Sequence, residues 1–194
     1  MAGLSFEPAI TDTRSQELVA RAQRGDVNAL GQLYDQHQAA IFRYLWLRLD
    51  DRAMAEDLTG EVFLRMMKAL AHYRAQAAPF RAWLYRIARN LLVDHWRKGG
   101  PRAALPLTAA EDQPAAAADP VALVDRRLSL AQLRQALERL DEAQREVVTL
   151  RFLAGLSLQE TAAALEKTEA AIKALQHRGL AALRQALADR GESL

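Results

Sequence analysis

Apolar residues recur along most of this chain at intervals of three and four. Leu30, Leu33, Tyr34, Ile41, Leu45 and Leu49 line one face of a helix predicted over 27–49. Leu58, Val62, Phe63, Met66 and Leu70 do the same over 52–72, with Asp50 and Asp51 breaking and recapping the chain before it. Leu84, Ile87, Ala88, Leu91 and Leu92 mark a further helix through "WLYRIARNLLVDHWRK", residues 83–98, with Phe80 near its entry. An earlier helix is predicted over 14–24, ended by Gly25, and Asp26 then offers an N-cap to the next. Residues 1–13 carry no such pattern and are expected to be disordered.

The pattern lapses between 99 and 120. This stretch holds four of the six prolines and reads as a flexible Ala/Pro-rich linker. Helical spacing then returns over 121–140. Asp141 with Gln144 resembles a capping box, opening a helix that Gly155 closes, and Ser157 with Glu160 is a second. After a short break at 166–167, Thr168 can cap a last helix over 169–187, leaving 189–194 as a tail. No convincing period-2 run appears, so the expected fold is all-α: two small helical domains, 14–98 and 121–188, joined by the linker. Gly179 lies inside the last helix, where it costs about 1 kcal/mol relative to Ala, and nothing in the sequence accounts for it.

Charge sharpens this picture through its distribution, because the net value is only +2. Arg81, Arg86, Arg89, Arg97, Lys98 and Arg102 stand against Asp94 alone between 81 and 102. A second basic stretch runs from Lys167 to Arg190, and two such patches suggest two contacts with a polyanion. Arg86, Arg89, Asn90 and Arg97 fall on one helix face opposite the apolar one, with Trp83 expected in the core. That stripe is either a solvated face beside a core or a phosphate-binding surface. The final two helices have the form of a helix-turn-helix, whose second helix would present Lys167, Thr168, Glu169, Lys173, Ala174, His177 and Arg178. Ile172, Leu175 and Leu180 would face inward. A helical hairpin with a solvated basic face is the plain alternative.

Several chemistries lack their residues. There is no cysteine, and His37, His72, His95 and His177 form no metal-ligand spacing. No phosphate-cradling glycine loop or nucleophile elbow occurs, so neither catalytic nor metal residues nor a cofactor are expected. No apolar run approaches the ~20 residues of a membrane span, and the opening residues do not resemble a signal peptide, so a cytoplasmic protein is expected.

Five stretches, taken in order, resemble the extracytoplasmic-function sigma factors, the small members of the bacterial primary-sigma family. They are "LYDQHQAAIFRYL", "AEDLTGEVFLRMMKAL", "FRAWLYRIARNLLVDHWRK", "LDEAQREVVTLRFLAGLSLQETAAAL" and "AAIKALQHRGLAALR", covering roughly residues 16–188 with the linker in the family's place. The resemblance implies a sigma domain 2 that docks on the clamp helices of core RNA polymerase and opens the −10 element. It also implies a sigma domain 4 that holds the polymerase flap and reads the −35 element. Asp57, Glu61 and Arg65, spaced i, i+4 on one face, would contact the polymerase, the competing use being an intrahelical Glu61–Arg65 pair. Arg86, Arg89, Asn90, Arg97 and Lys98 would meet −10 DNA, while Arg74, Gln76 and Phe80 in the loop "YRAQAAPF" would wall a pocket for a flipped base. That loop is slightly longer than the commonest family form. Gly60 replaces a longer polar residue, and Glu166 replaces the glycine common at the helix-turn-helix turn.

The resemblance further implies promoter DNA as a partner and an anti-sigma factor that holds the free protein in check, a membrane-held one being one form of it, with no direct membrane insertion by this chain. Two other readings use the same residues. One is a dimeric helix-turn-helix regulator that binds duplex operator DNA alone; the other is a helical adaptor that makes only protein contacts.

Overall fold

A computed structural model describes residues 9–49, 51–99 and 132–191. Helix α1 spans Ala9–Ala22, α2 Val27–Leu49, α3 Arg52–Ala69 and α4 Phe80–Arg97, with a 3₁₀ turn at Leu70–His72. The described part of α5 covers 132–138. Then come α6 (Glu142–Val148), a π-helical turn (Thr149–Leu153), α7 (Leu158–Leu165) and α8 (Glu169–Gly191). Among the described residues there is no strand. The predicted linker lies almost wholly outside them, as do residues 121–131 of the helix predicted after it.

Helix α1 starts five residues before its predicted start. Thr11, Asp12 and Thr13 are indifferent helix formers rather than breakers, so a pattern search loses them although the helix continues through. At its far end Gly25 takes φ +91°. The Gly25 amide donates to the Ala22 carbonyl at 2.9 Å and the Asp26 amide to that of Arg21 at 3.2 Å, a Schellman closure that needs the left-handed glycine. Asp26 also accepts from the Ala29 amide at 3.2 Å and so begins α2. The Arg21 guanidinium 2.7 Å away holds the Asp26 carboxyl below its usual range, with help from that capping bond.

Leu33, Ile41 and Leu45 of α2, Val62 and Met66 of α3, and Leu84, Ala88 and Leu92 of α4 form the first core. Tyr85, which the sequence pattern omits, is buried with them and meets Tyr44 edge to face. Asp51 caps α3 through the Met54 amide at 3.0 Å.

In the C-terminal unit Asp141 caps α6 through the Gln144 amide, and Ser157 with Glu160 completes a full capping box on α7. The Arg145 guanidinium donates to the carbonyls of Leu137 and Glu138, each at 2.9 Å, closing the end of α5. Glu166 takes φ 53°, ψ 43°, the left-handed conformation that a glycine usually supplies at such a turn. Gly179 also finds its reason. A Cβ there would stand 2.8 Å from Val148 Cγ2, so glycine allows α8 to cross α6 closely.

The two units are not separate bodies. One buried cluster runs from Leu33, Leu84 and Leu92 into Val147, Leu150, Leu156, Leu165 and Ile172, and α4 packs on α7. The basic face of α4 therefore has a protein neighbour.

Candidate nucleic-acid interface

The arginine face of α4 is lined against carboxylates of the C-terminal unit. Arg86, half-buried, stands 3.1 Å from Glu166. Arg89, Val93, Trp96 and Arg97 line a cleft of about 290 Å³ opposite Glu142 and Glu146 of α6. Asn90, Arg97 and Lys98 are exposed, and Arg97 also pairs with Asp94 at 2.6 Å. The stripe is thus split: its first turns face protein and its last turn faces solvent. Trp83 is half-buried against Tyr73 and Phe80, as a core-edge ring.

Deeper in the same seam sits a charge cluster that the sequence reading misses. The Arg48 side chain is only 1% exposed, pairs with Glu146 at 2.9 Å, contacts Glu142, and lies over the Trp96 ring at 5.1 Å. Burial works against its charge, but Glu146, Tyr44 and Glu142 outweigh that and raise its pKa. Burial, then Glu146, pushes the Tyr44 phenol well above its ordinary range. Arg81 forms a second link, donating to the carbonyls of Ala154 (2.9 Å) and Gly155 (3.2 Å) and approaching Glu160 at 3.5 Å. A signal for Arg48 does exist. It falls seven residues after Ile41, on the stripe that buries Ile41 and Leu45, where a cation needs a partner.

The loop after α3 is preorganised. The Tyr73 hydroxyl donates to the Ala78 carbonyl at 2.8 Å, and the Ala77 amide to the Arg74 carbonyl at 3.0 Å. Arg74 folds back on the carbonyls of Ala71 and Tyr73. A cavity of about 360 Å³ opens beside it, lined by Arg74, Gln76 and Tyr73 and, on the other side, by Gln16 and Val19 of α1 and Gln23 in the turn after it. Phe80 is a correction to the expected walls. It is wholly buried, packed on His37, Tyr73 and Trp83, because as the first residue of α4 it plugs the core beneath the loop. The α1 wall was not legible, since nothing local in the sequence joins residues 16–23 to 73–76.

On α3, Asp57 and Arg65 are exposed and Glu61 half-exposed. Glu61 and Arg65 form the intrahelical pair at 2.8 Å, and Arg65 lies 3.8 Å from Asp94. Leu64 and Met67 are large apolar residues exposed on the same helix. In the helix-turn-helix, Lys167, Thr168, Glu169, Lys173, Ala174, His177 and Arg178 are all exposed, with Ile172 buried and Leu175 and Leu180 half-buried. The Thr168 hydroxyl accepts from the Ala171 amide at 3.2 Å, capping α8. Among the described residues no group of side chains suited to a metal ion occurs, and no helix is long and apolar enough to cross a membrane.

A helix-turn-helix behind a bundle with an arginine-faced helix defines a two-part sigma architecture, and comparison with known proteins agrees. Residues 33–102 match the family Sigma-70 region 2, and residues 136–185 match Sigma-70, region 4. The ECF RNA polymerase sigma factor BldN of Streptomyces coelicolor is 44% identical over 91% of this chain and 67% of its own length. The ECF RNA polymerase sigma factor SigD of Mycobacterium tuberculosis is 33% identical over 97% of this chain and 92% of its own. Among solved structures, CnrH in complex with the cytosolic domain of CnrY superposes with a TM-score of 0.72 at 26% identity, covering 91% of this chain and 98% of that one. The sigma factor RpoE, solved with the anti-sigma factor NepR from Bartonella quintana, shares the fold at a TM-score of 0.65 and 22% identity, over 83% of this chain and 98% of that one. The chain belongs to the extracytoplasmic-function family of RNA polymerase sigma factors. It is an alternative sigma factor, which joins core RNA polymerase and directs initiation at particular promoters; the operator-binding dimer is not favoured.

Proposed function

We propose that the compact form described above is the inactive state of this sigma factor, and that activity requires its two units to part. The observation that carries this is that the α4 arginine face looks onto carboxylates of the C-terminal unit, Arg86 pairing with Glu166 and Arg89 and Arg97 lining a cleft opposite Glu142 and Glu146. Those carboxylates stand where DNA phosphates must lie if Arg86, Arg89, Asn90, Arg97 and Lys98 are to hold the −10 element. Once parted, the cavity beside Arg74 and Gln76 receives a base unstacked from the non-template strand. Lys167, Thr168, Glu169, Lys173, Ala174, His177 and Arg178 then enter the major groove of the −35 element, the lysines and arginine on phosphates or guanine edges and Ala174 against thymine methyls.

Asp57, Glu61 and Arg65 contact the clamp helices of core polymerase, Leu64 and Met67 adding apolar area beside them. The C-terminal unit holds the flap. An anti-sigma factor stabilises the closed form, in keeping with the solved relatives bound to CnrY and NepR. The protein works in the cytoplasm and makes no covalent chemistry of its own; a membrane-held anti-sigma partner would keep it at the membrane surface.

Run-off transcription with purified chain and sigma-free core polymerase on fragmented genomic DNA tests this reading. Discrete chain-dependent transcripts are expected, and their start sites define both promoter elements. Replacing Arg86 and Arg89 by Ala is expected to weaken open-complex formation more than core binding. Equal loss of both would contradict the assigned roles.

A further inference from the structure

We propose that the Tyr85 hydroxyl is a release element built into the seam: a polar group that the closed form leaves unpaired, and that weakens the docking of the two units enough for core polymerase to part them. The inference rests on the closed form being the inactive state, as proposed above, and adds the residue that limits how firmly it closes.

Tyr85 stands at the middle of the seam. Arg81 precedes it by four residues and Arg89 follows it by four, so the three share one face of α4. Arg81 reaches the carbonyls of Ala154 and Gly155, and Arg89 lines the cleft opposite Glu142 and Glu146. Between these two contacts with the C-terminal unit, Tyr85 is 2% exposed and its hydroxyl oxygen is buried. Among the described residues nothing hydrogen-bonds that oxygen.

The charged groups around it are engaged elsewhere. Arg81, Arg43 and Glu160 are the ones that act on it electrostatically. Glu160 accepts from the Ser157 amide at 2.7 Å and faces Arg81 at 3.5 Å, while Arg81 serves the two carbonyls. Arg43 is exposed. Burial raises the phenol to about 12, against Arg81 and Arg43, so the hydroxyl is protonated and neutral.

Its neighbour Tyr44 does the reverse. The two rings meet edge to face at 5.4 Å, and the Tyr44 hydroxyl donates across the seam to Glu146. Docking therefore gives one hydroxyl a charged acceptor and takes from the other its water. A buried hydroxyl without a partner forfeits its hydrogen bonds to water and gains none in exchange. That loss falls on the closed form alone, and so shifts the balance towards the open one.

The test removes each hydroxyl while keeping its ring, in the full chain, and measures apparent affinity for sigma-free core polymerase. That affinity follows the population of the open, binding-competent form. Tyr85→Phe is expected to weaken core binding roughly fivefold or more, the worth of one unpaired buried hydroxyl, and Tyr44→Phe to strengthen it. At saturating core polymerase the open promoter complex of Tyr85→Phe should live as long as that of wild type. In small-angle scattering of the free chain, Tyr44→Phe should enlarge the radius of gyration, and adding Tyr85→Phe should reduce it again.

Tighter core binding by Tyr85→Phe, or no change in it while Tyr44→Phe binds more tightly, overturns the proposal, because the hydroxyl then opposes nothing in the seam. A shortened open-complex lifetime with unchanged core affinity overturns it as well, and puts the hydroxyl to use on DNA instead. If neither variant alters core affinity or radius, the units do not dock in the free chain. The closed-form reading then falls, and this proposal with it.

Discussion

The Tyr44 hydroxyl, on α2, donates a 2.5 Å hydrogen bond to the Glu146 carboxylate on α6, across a sequence separation of 102 residues. The same carboxylate holds Arg48 at 2.9 Å. One buried anion thus ties the two halves of the molecule together through a phenol and a guanidinium, with little water to screen either contact.

Glu146→Ala takes from the Arg48 cation its buried partner and leaves it the more exposed Glu142, and breaking such a buried pair costs about 3 kcal/mol or more. The docked arrangement should loosen, seen as a larger radius of gyration in small-angle scattering of the free chain. Transcription should start sooner after core polymerase is added. A double replacement, Arg48→Met with Glu146→Leu, should return the compact radius, since an apolar pair of similar volume fills the seam. An unchanged radius for Glu146→Ala would show that the apolar contacts alone hold the halves together.

By contrast, the Arg86–Glu166 pair is exposed on its acidic side and contributes little, on the order of 0–1 kcal/mol. Glu166→Gly removes it but also removes the left-handed strain, roughly 1 kcal/mol. The expected net effect on thermal unfolding is a small rise in Tm, whereas Glu166→Val, β-branched at positive φ, should lower it. A fall with glycine would mean that the ion pair outweighs the strain.

Gly179→Ala pits two terms against each other. Alanine favours the helix by about 1 kcal/mol, but its methyl would overlap Val148 Cγ2 at 2.8 Å, and overpacking typically costs ~1–3 kcal/mol. Denaturant unfolding should show net destabilisation, relieved when Val148→Ala is added. If the single variant were more stable than the parent, α6 and α8 would have to be further apart than described.

His37 is buried against Phe80 and shares a 3.1 Å hydrogen bond with Ser15. Burial, aided by Arg81, lowers its pKa from 6.5 to about 4. Between those values the unfolded chain binds a proton that the folded chain refuses, so stability is complete above pH 6.5 and falls on acidification. At pH 4 the loss should approach about 3 kcal/mol. Urea unfolding of wild type and His37→Gln at pH 7 and pH 4 isolates the effect: the gap between them should narrow by that amount at the lower pH. A constant gap would show that the imidazole is not held neutral.

The sequence made the helices, their caps and the helix-turn-helix legible because each leaves a local mark: apolar spacing, Asp51, Asp141, and Ser157 with Glu160. Residues of α8 expected outside and inside lie where that spacing puts them. Phe80 shows the limit. An aromatic residue at a helix entry looks like a stacking surface, but only the tertiary fold decides that it faces His37 and Tyr73 instead. Arg48 and Glu146 lie far apart in sequence and became a pair only when the units docked. The cavity's α1 wall was hidden for the same reason. Gly179 was visible as an anomaly and intelligible only beside Val148.

The core that crosses from one unit to the other has a kinetic corollary. Parting the halves uncovers Leu156, Leu165 and their neighbours on α4 to water, at about 25 cal/mol for each Å² exposed. An open chain in free solution is therefore a fleeting species. Activation then proceeds as a handover, in which polymerase covers surface as the other half gives it up, and its rate follows the concentration of the acceptor rather than a slow opening of the chain alone.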